Sequence, residues 1–113
     1  MRLFTRTRAI DADGAAYLLT SGSVVVVDVR QPAEWKTGHI RGALHIPLAQ
    51  LSSRLHQLPQ GKTIVTVCRS GHRSAVAART LTRAGRDVLN LRGGMNAWNR
   101  AGLPLAAQSG RRK

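Results

Sequence analysis

The chain has 113 residues, 42% of them hydrophobic, with one cysteine and 18 Lys+Arg against 5 Asp+Glu, a formal charge of +13. That length allows one domain with a proper core and no disulfide or structural metal. A single cysteine closes no intramolecular disulfide, builds no thiolate zinc site and leaves no resolving thiol in the chain, and the longest strongly apolar run, Val24 to Val27, is far too short to cross a bilayer.

Residues Thr7 to Ile10 read as a short edge strand. Asp11 or Asp13 can cap a first helix through Ala15, Ala16, Leu18 and Leu19 that ends near Gly22. Val24 to Val29 is apolar on both faces, the pattern of a central parallel strand, and it closes with Asp28-Val29-Arg30. Pro32 opens a short helix carrying Glu34 and Trp35. Gly38 and Gly42 bracket a turn, followed by a brief strand closed by Pro47. A helix is expected between Leu48 and Leu58, before Pro59-Gln60-Gly61 breaks the chain. The β-branched run from Thr63 to Val67 reads as a strand stopping at Cys68. After a tight loop, the pattern is helical from Ser74, with Ala77, Ala78, Leu81 and Ala84 on one face and Arg79, Arg83 and Arg86 on another. Gly85 ends that helix, and Asp87 to Leu91 form another short strand. Gly93-Gly94 open a last helix holding Met95 and Trp98, which runs out at Gly102-Leu103-Pro104; without a GxGxxG frame the two glycines do not read as a phosphate loop. Residues 1–107 are expected to form a single domain and 108–113 a basic, frayed tail. The alternation of strand and helix predicts an α/β fold, a parallel sheet with helices on both faces.

In such sheets ligands sit outside the carboxyl ends of the strands, where Cys68, Asp28 and Arg30 all fall. The strand, loop and helix around Cys68 place its sulfur over backbone N–H groups and the positive end of a helix dipole. Arg69 and Arg73 flank it, and Gly71 can take a positive φ or allow close approach. Such surroundings lower a thiol pKa, and the thiolate can attack sulfur, phosphorus or arsenic centres. A core-filling cysteine would gain nothing from this company. With no second cysteine, a covalent intermediate on Cys68 must be discharged by an outside acceptor.

Asp28-Val29-Arg30, the Glu34 to Pro47 stretch with Gly38-His39-Ile40 and Gly42-Ala43, the Cys68 to Arg73 loop, and Gly93-Gly94-Met95 with Trp98 occur together and in order. From Ala9 to Pro104 the chain thereby resembles the rhodanese homology domain, a sulfurtransferase family. The resemblance implies a central five-stranded parallel sheet and a Cys68 persulfide that receives sulfur from thiosulfate and passes it to cyanide or a thiol. It makes Cys68 the nucleophile, lines the substrate site with Arg69, Ser70, Gly71, His72 and Arg73, and gives Asp28 and Arg30 a supporting role from the adjacent strand end. The arginines would attract thiosulfate and stabilise departing sulfite. His45 replaces the family's more frequent asparagine, with little effect expected on the chemistry. His72 lies in the variable part of the loop, as a solvent-facing residue or a proton-transfer aid; His39 and His56 read as structural and surface residues.

Neither a cofactor nor a metal is expected. Related phosphatases and arsenate reductases have one more residue between cysteine and arginine; the four found here suit a single sulfane sulfur. Glu34 is the one carboxylate considered as a general acid for phosphatase chemistry. A second reading is a non-enzymatic persulfide carrier, loaded by a desulfurase and emptied by a sulfur-acceptor protein. A third, given less weight, is an RNA-associated thiolation partner: the charge favours nucleic acid, but the 4% aromatic content supplies no stacking platform. The basic segment Met1 to Arg8 precedes no apolar leader, so the expected setting is the reducing cytoplasm, without membrane insertion.

Overall fold

A computed structural model describes residues 8–106, so the expected tail and Thr7 lie outside the described residues. Five strands form one parallel sheet in the order β1-β5-β4-β2-β3: β1 Ala9–Ile10, β2 Val24–Asp28, β3 Leu44–His45, β4 Thr63–Val67 and β5 Val88–Leu91. Among the described residues the α-helices are α1 Ala12–Ser21, α2 Pro32–Trp35, α3 His72–Arg83 and α4 Gly94–Arg100. The β-branched runs take adjacent interior positions, β4 at the centre and β2 beside it, because side chains on both of their faces must be buried. Val26, Val27, Ile64, Val65 and Val67 are at most 1% exposed.

The pleat divides the core between the two faces. On one, Val27, Val29, Ile64, Cys68 and Val88 pack with Ala77, Ala78 and Leu81 of α3 and with Ile46, Leu51 and Leu58. On the other, Val24, Val26, Val65, Val67 and Leu91 meet Ala12 and Ala15 of α1 and Met95 and Trp98 of α4. Asp11 caps α1, its Oδ1 accepting the Gly14 N–H at 2.8 Å.

Besides shorter strands β1, β2 and β5, two expectations change. The segment Leu48–Leu58 is not an α-helix but two 3-10 turns, Leu48–Gln50 and Ser52–Gln57, with Arg54 at φ −120°. Leu48, Leu51, Leu55 and Leu58 fit either helix, but the tighter one keeps buried Leu51 and Leu58 on the core while spanning more length per residue. The Arg54 guanidinium locks the kink by donating to Gln50 Oε1, Gln57 Oε1 and the His45 carbonyl. Helix α3 begins two residues before the expected Ser74, because Gly71, at φ +114°, turns the loop directly into it.

Candidate active site

Strand β4 aims Thr66 and Cys68 at the α3 face, and the chain turns sharply past the sulfur. Cys68 is 1% exposed. The Gly71 N–H donates to Cys68 Sγ at 3.1 Å, and the Ser74 hydroxyl donates to it at 3.3 Å. Burial pushes the thiol pKa up, but the Ser74 hydroxyl and the N–H groups of Ser74, Gly71 and Ser70 push it down further, leaving it below the ordinary thiol range. Two of these N–H groups, those of Ser70 and Gly71, lie in the Cys68 to Arg73 loop, and the third, that of Ser74, belongs to the first turn of α3, whose N–H groups have no partner within the helix. Ser74→Ala is therefore expected to move the ionisation of Cys68 to higher pH. Thiolate ultraviolet absorbance reads this directly in a protein with one cysteine; an unmoved midpoint would remove Ser74 from thiolate stabilisation.

Two buried polar side chains hold the loop from beneath. Asn90 of β5 donates through Nδ2 to the Gly71 carbonyl at 3.2 Å, and the Thr66 hydroxyl lies 3.0 Å from the Ser74 carbonyl and 3.3 Å from Asn90 Oδ1. From the other side, the start of α4 donates to the loop backbone, Met95 N–H to the Cys68 carbonyl at 2.8 Å and Asn96 N–H to the Arg69 carbonyl at 3.0 Å. Only glycine fits at 94: a Cβ there would lie 2.3 Å from the Cys68 carbonyl oxygen, at a φ of +56°.

The residues expected to line the site separate into two groups. Arg69, Ser70 and His72 are exposed at the rim. Arg73 instead makes a bidentate ion pair with Glu34, at 2.7 and 2.9 Å. Hydrogen bonding to Arg73 holds the Glu34 carboxyl at a pKa of about 2. An ionised carboxylate fits poorly the general-acid role considered from the sequence. Asp28 and Arg30 form a buried pair, 2.8 Å between Nη2 and Oδ2, and Arg30 also donates to the Gly38 carbonyl at 2.9 Å. They brace the end of β2 against the turn after α2 and make no direct hydrogen bond to the loop. His45 donates through Nε2 to the Arg30 carbonyl at 2.8 Å and stacks on Trp35, whose ring also stacks on His39 at 3.5 Å. Through these contacts the Trp35 segment, which carries Glu34, is held to the sheet.

Ser74, Asn90, Thr66, Gly94 and the Glu34–Arg73 pairing were not anticipated as parts of the site. For two of them the sequence does hold a signal. Ser74 shares the helical face of Ala77, Ala78 and Leu81, and Asn90 interrupts an otherwise apolar strand. A polar residue in an apolar stripe needs a hydrogen-bond partner inside the protein.

Comparison with known proteins points the same way as this geometry. The family model for the rhodanese-like domain matches residues 11–101. A sulfurtransferase of Allochromatium vinosum is 41% identical over 103 residues, covering 89% of this chain and 96% of that protein. The putative sulfur carrier protein YrkF of Bacillus subtilis is 39% identical over 77 residues, 67% of this chain but 42% of its own length. Among solved structures, a rhodanese-related protein of Thermoplasma volcanium superposes with a TM-score of 0.83 at 29% identity, covering 88% of this chain and 97% of that one.

Proposed function

This chain belongs to the rhodanese-like domain family, and from that premise we propose that it is a sulfurtransferase working through a persulfide on Cys68. The observation that carries the reading is a buried sulfur receiving hydrogen bonds from Gly71 N–H and the Ser74 hydroxyl at the start of α3. That arrangement favours a thiolate and, one bond further out, the negative charge of a terminal persulfide sulfur.

In the first half-reaction, the Cys68 thiolate attacks the outer sulfur of thiosulfate. A new S–S bond forms to Cys68, and the old S–S bond breaks with its electron pair leaving on sulfite. In the second, cyanide or a thiolate attacks the outer sulfur of the persulfide, and the Cys68 thiolate leaves and is restored. Both steps displace at sulfur, so no proton donor is required. Asn90 and Thr66 keep the loop carbonyls tied down, which fixes the direction of the N–H groups facing the sulfur. Arg69, Ser70, His72 and Arg73 form the rim that the donor passes, while Asp28 and Arg30 support the neighbouring strand end.

A second reading, transfer between proteins without turnover on small molecules, is favoured by the similarity to a putative sulfur carrier and uses the same residues. Its partners would be a sulfur donor protein and an acceptor protein.

Mass spectrometry separates these outcomes. Reduced protein mixed with thiosulfate is expected to gain one sulfur atom and lose it to cyanide as thiocyanate. Steady-state rates at varied thiosulfate and cyanide should give parallel double-reciprocal lines, because the persulfide divides the reaction in two. Failure to gain sulfur would eliminate thiosulfate as the donor. Gain and release without repeated turnover would make the chain a carrier.

A further inference from the structure

Arg73 is the loop cation expected to meet an anionic donor, yet its guanidinium is already engaged. Both of its terminal nitrogens donate to the two carboxylate oxygens of Glu34, the planar fork-to-fork geometry that an arginine would offer to a sulfonate group. Glu34 is itself held in place, since its Oε1 also accepts the Gln31 N–H at 3.0 Å in the capping box of α2. Arg73 sits in the first turn of α3, so its backbone is fixed and only its side chain can exchange partners. The pair lies at the rim, with side chains 34% and 26% exposed, where water and an incoming anion can reach both partners and take over their hydrogen bonds. Among the described residues Arg69 makes no ion pair, so it still draws anions towards the loop.

We propose that Glu34 is a specificity-determining residue, an internal competitor for Arg73 that an anionic sulfur donor must displace before the guanidinium can engage it. This rests on the reading of the Cys68 loop as a sulfane-sulfur site. Donors that present a terminal sulfur without a second anionic group, such as a persulfide on another protein's cysteine, meet no such competition. The site is thereby biased towards them and away from thiosulfate. Thiosulfate carries its sulfonate one bond from the transferred sulfur and needs Arg73 to be released.

The test is thiosulfate binding by titration calorimetry in the Cys68→Ser background, where no turnover intervenes. Adding Glu34→Gln is expected to lower Kd about threefold to tenfold, which corresponds to about 0.6–1.4 kcal/mol. The gain should vanish when Arg73→Gln is also present, because the competed group is then gone. An unchanged or weaker Kd, or binding too weak to measure in both proteins, overturns the proposal. So does an equal gain without Arg73, which would make Glu34 a general repulsive charge. Glutamine keeps the acceptor for the Gln31 N–H; should that variant not fold, Glu34→Asp loses the bidentate reach and should tighten binding likewise, and no tightening overturns the proposal. Since Cys68 is absent throughout, failure here is distinct from a failure of thiosulfate to load the wild-type protein.

Discussion

Cys68→Ser is expected to bring sulfur transfer down to the uncatalysed background, a loss on the order of 10⁴-fold or more, as when the nucleophile of a covalent mechanism is removed. The substitution changes one atom. The Gly71 N–H and the Ser74 hydroxyl would remain in place to hydrogen-bond to the new oxygen, so the setting survives while the chemistry does not. A serine hydroxyl stays protonated at neutral pH, even in an environment that lowers a thiol pKa, and oxygen forms no persulfide. Cys68 belongs to the core face shared with Ala77, Ala78 and Leu81, and a near-isosteric replacement leaves that packing almost unchanged. Thiocyanate release measures the effect, with thermal unfolding as the check on folding. Substantial turnover by a folded Cys68→Ser protein would mean that the reaction does not pass through this residue. The same variant should gain no sulfur from any donor, which tests the carrier reading equally.

Asp28→Ala should be the most damaging single change to stability away from the loop. The Asp28 carboxylate is fully buried and holds Arg30 through Nε and Nη2 while also accepting the Arg30 backbone N–H at 3.0 Å. Removing it leaves a guanidinium 5% exposed whose remaining partner is the Gly38 carbonyl. Breaking a buried pair from one side costs about 3–5 kcal/mol, because a charge stays inside without compensation. Against a total of roughly 5–15 kcal/mol for a domain, that is a large fraction. A fall in Tm of about 15–25 °C is expected for a protein of this size. A drop of only a few degrees would show that Arg30 finds solvent or another partner. Removing both charges is expected to cost less than removing Asp28 alone, since the penalty lies in the stranded ion, and a double-mutant cycle separates the two.

The sheet and the loop around Cys68 were legible because their signals are local. Val24 to Val29 and Thr63 to Val67 are apolar on both faces, and only the middle of a parallel sheet buries such strands. The cysteine, glycine and arginines of the loop follow within a few positions of the second. What was not legible is made by residues distant in the chain. Glu34 reaches Arg73 across 39 positions and Asn90 reaches Gly71 across 19. Nothing in the local pattern around Glu34 says which arginine it meets, so the sequence offered it only as a possible proton donor. The segment between Leu48 and Leu58 misleads for a different reason. Leucines three and four residues apart satisfy α and 3-10 geometry alike, and the choice is made by the tertiary surface on which they land. The early start of α3 belongs with it, since His72 and Arg73 carry no apolar periodicity and the glycine before them sets the turn.

The sheet order also distributes local stability unevenly. Strand β4, which leads into Cys68, lies between β5 and β2, whereas β3 at the edge has two residues and one neighbour. Amides of β4 can exchange with solvent only when most of the domain opens, while those of β3 and the adjoining α2 segment are released by smaller excursions. Glu34 precedes the edge strand, where lower protection is expected, and Cys68 follows the central strand, where the highest is expected. Hydrogen exchange should therefore find the anchor of Arg73 breathing on a faster clock than the peptide planes around the sulfur, so that the Glu34–Arg73 contact can open while the backbone around Cys68 stays fixed.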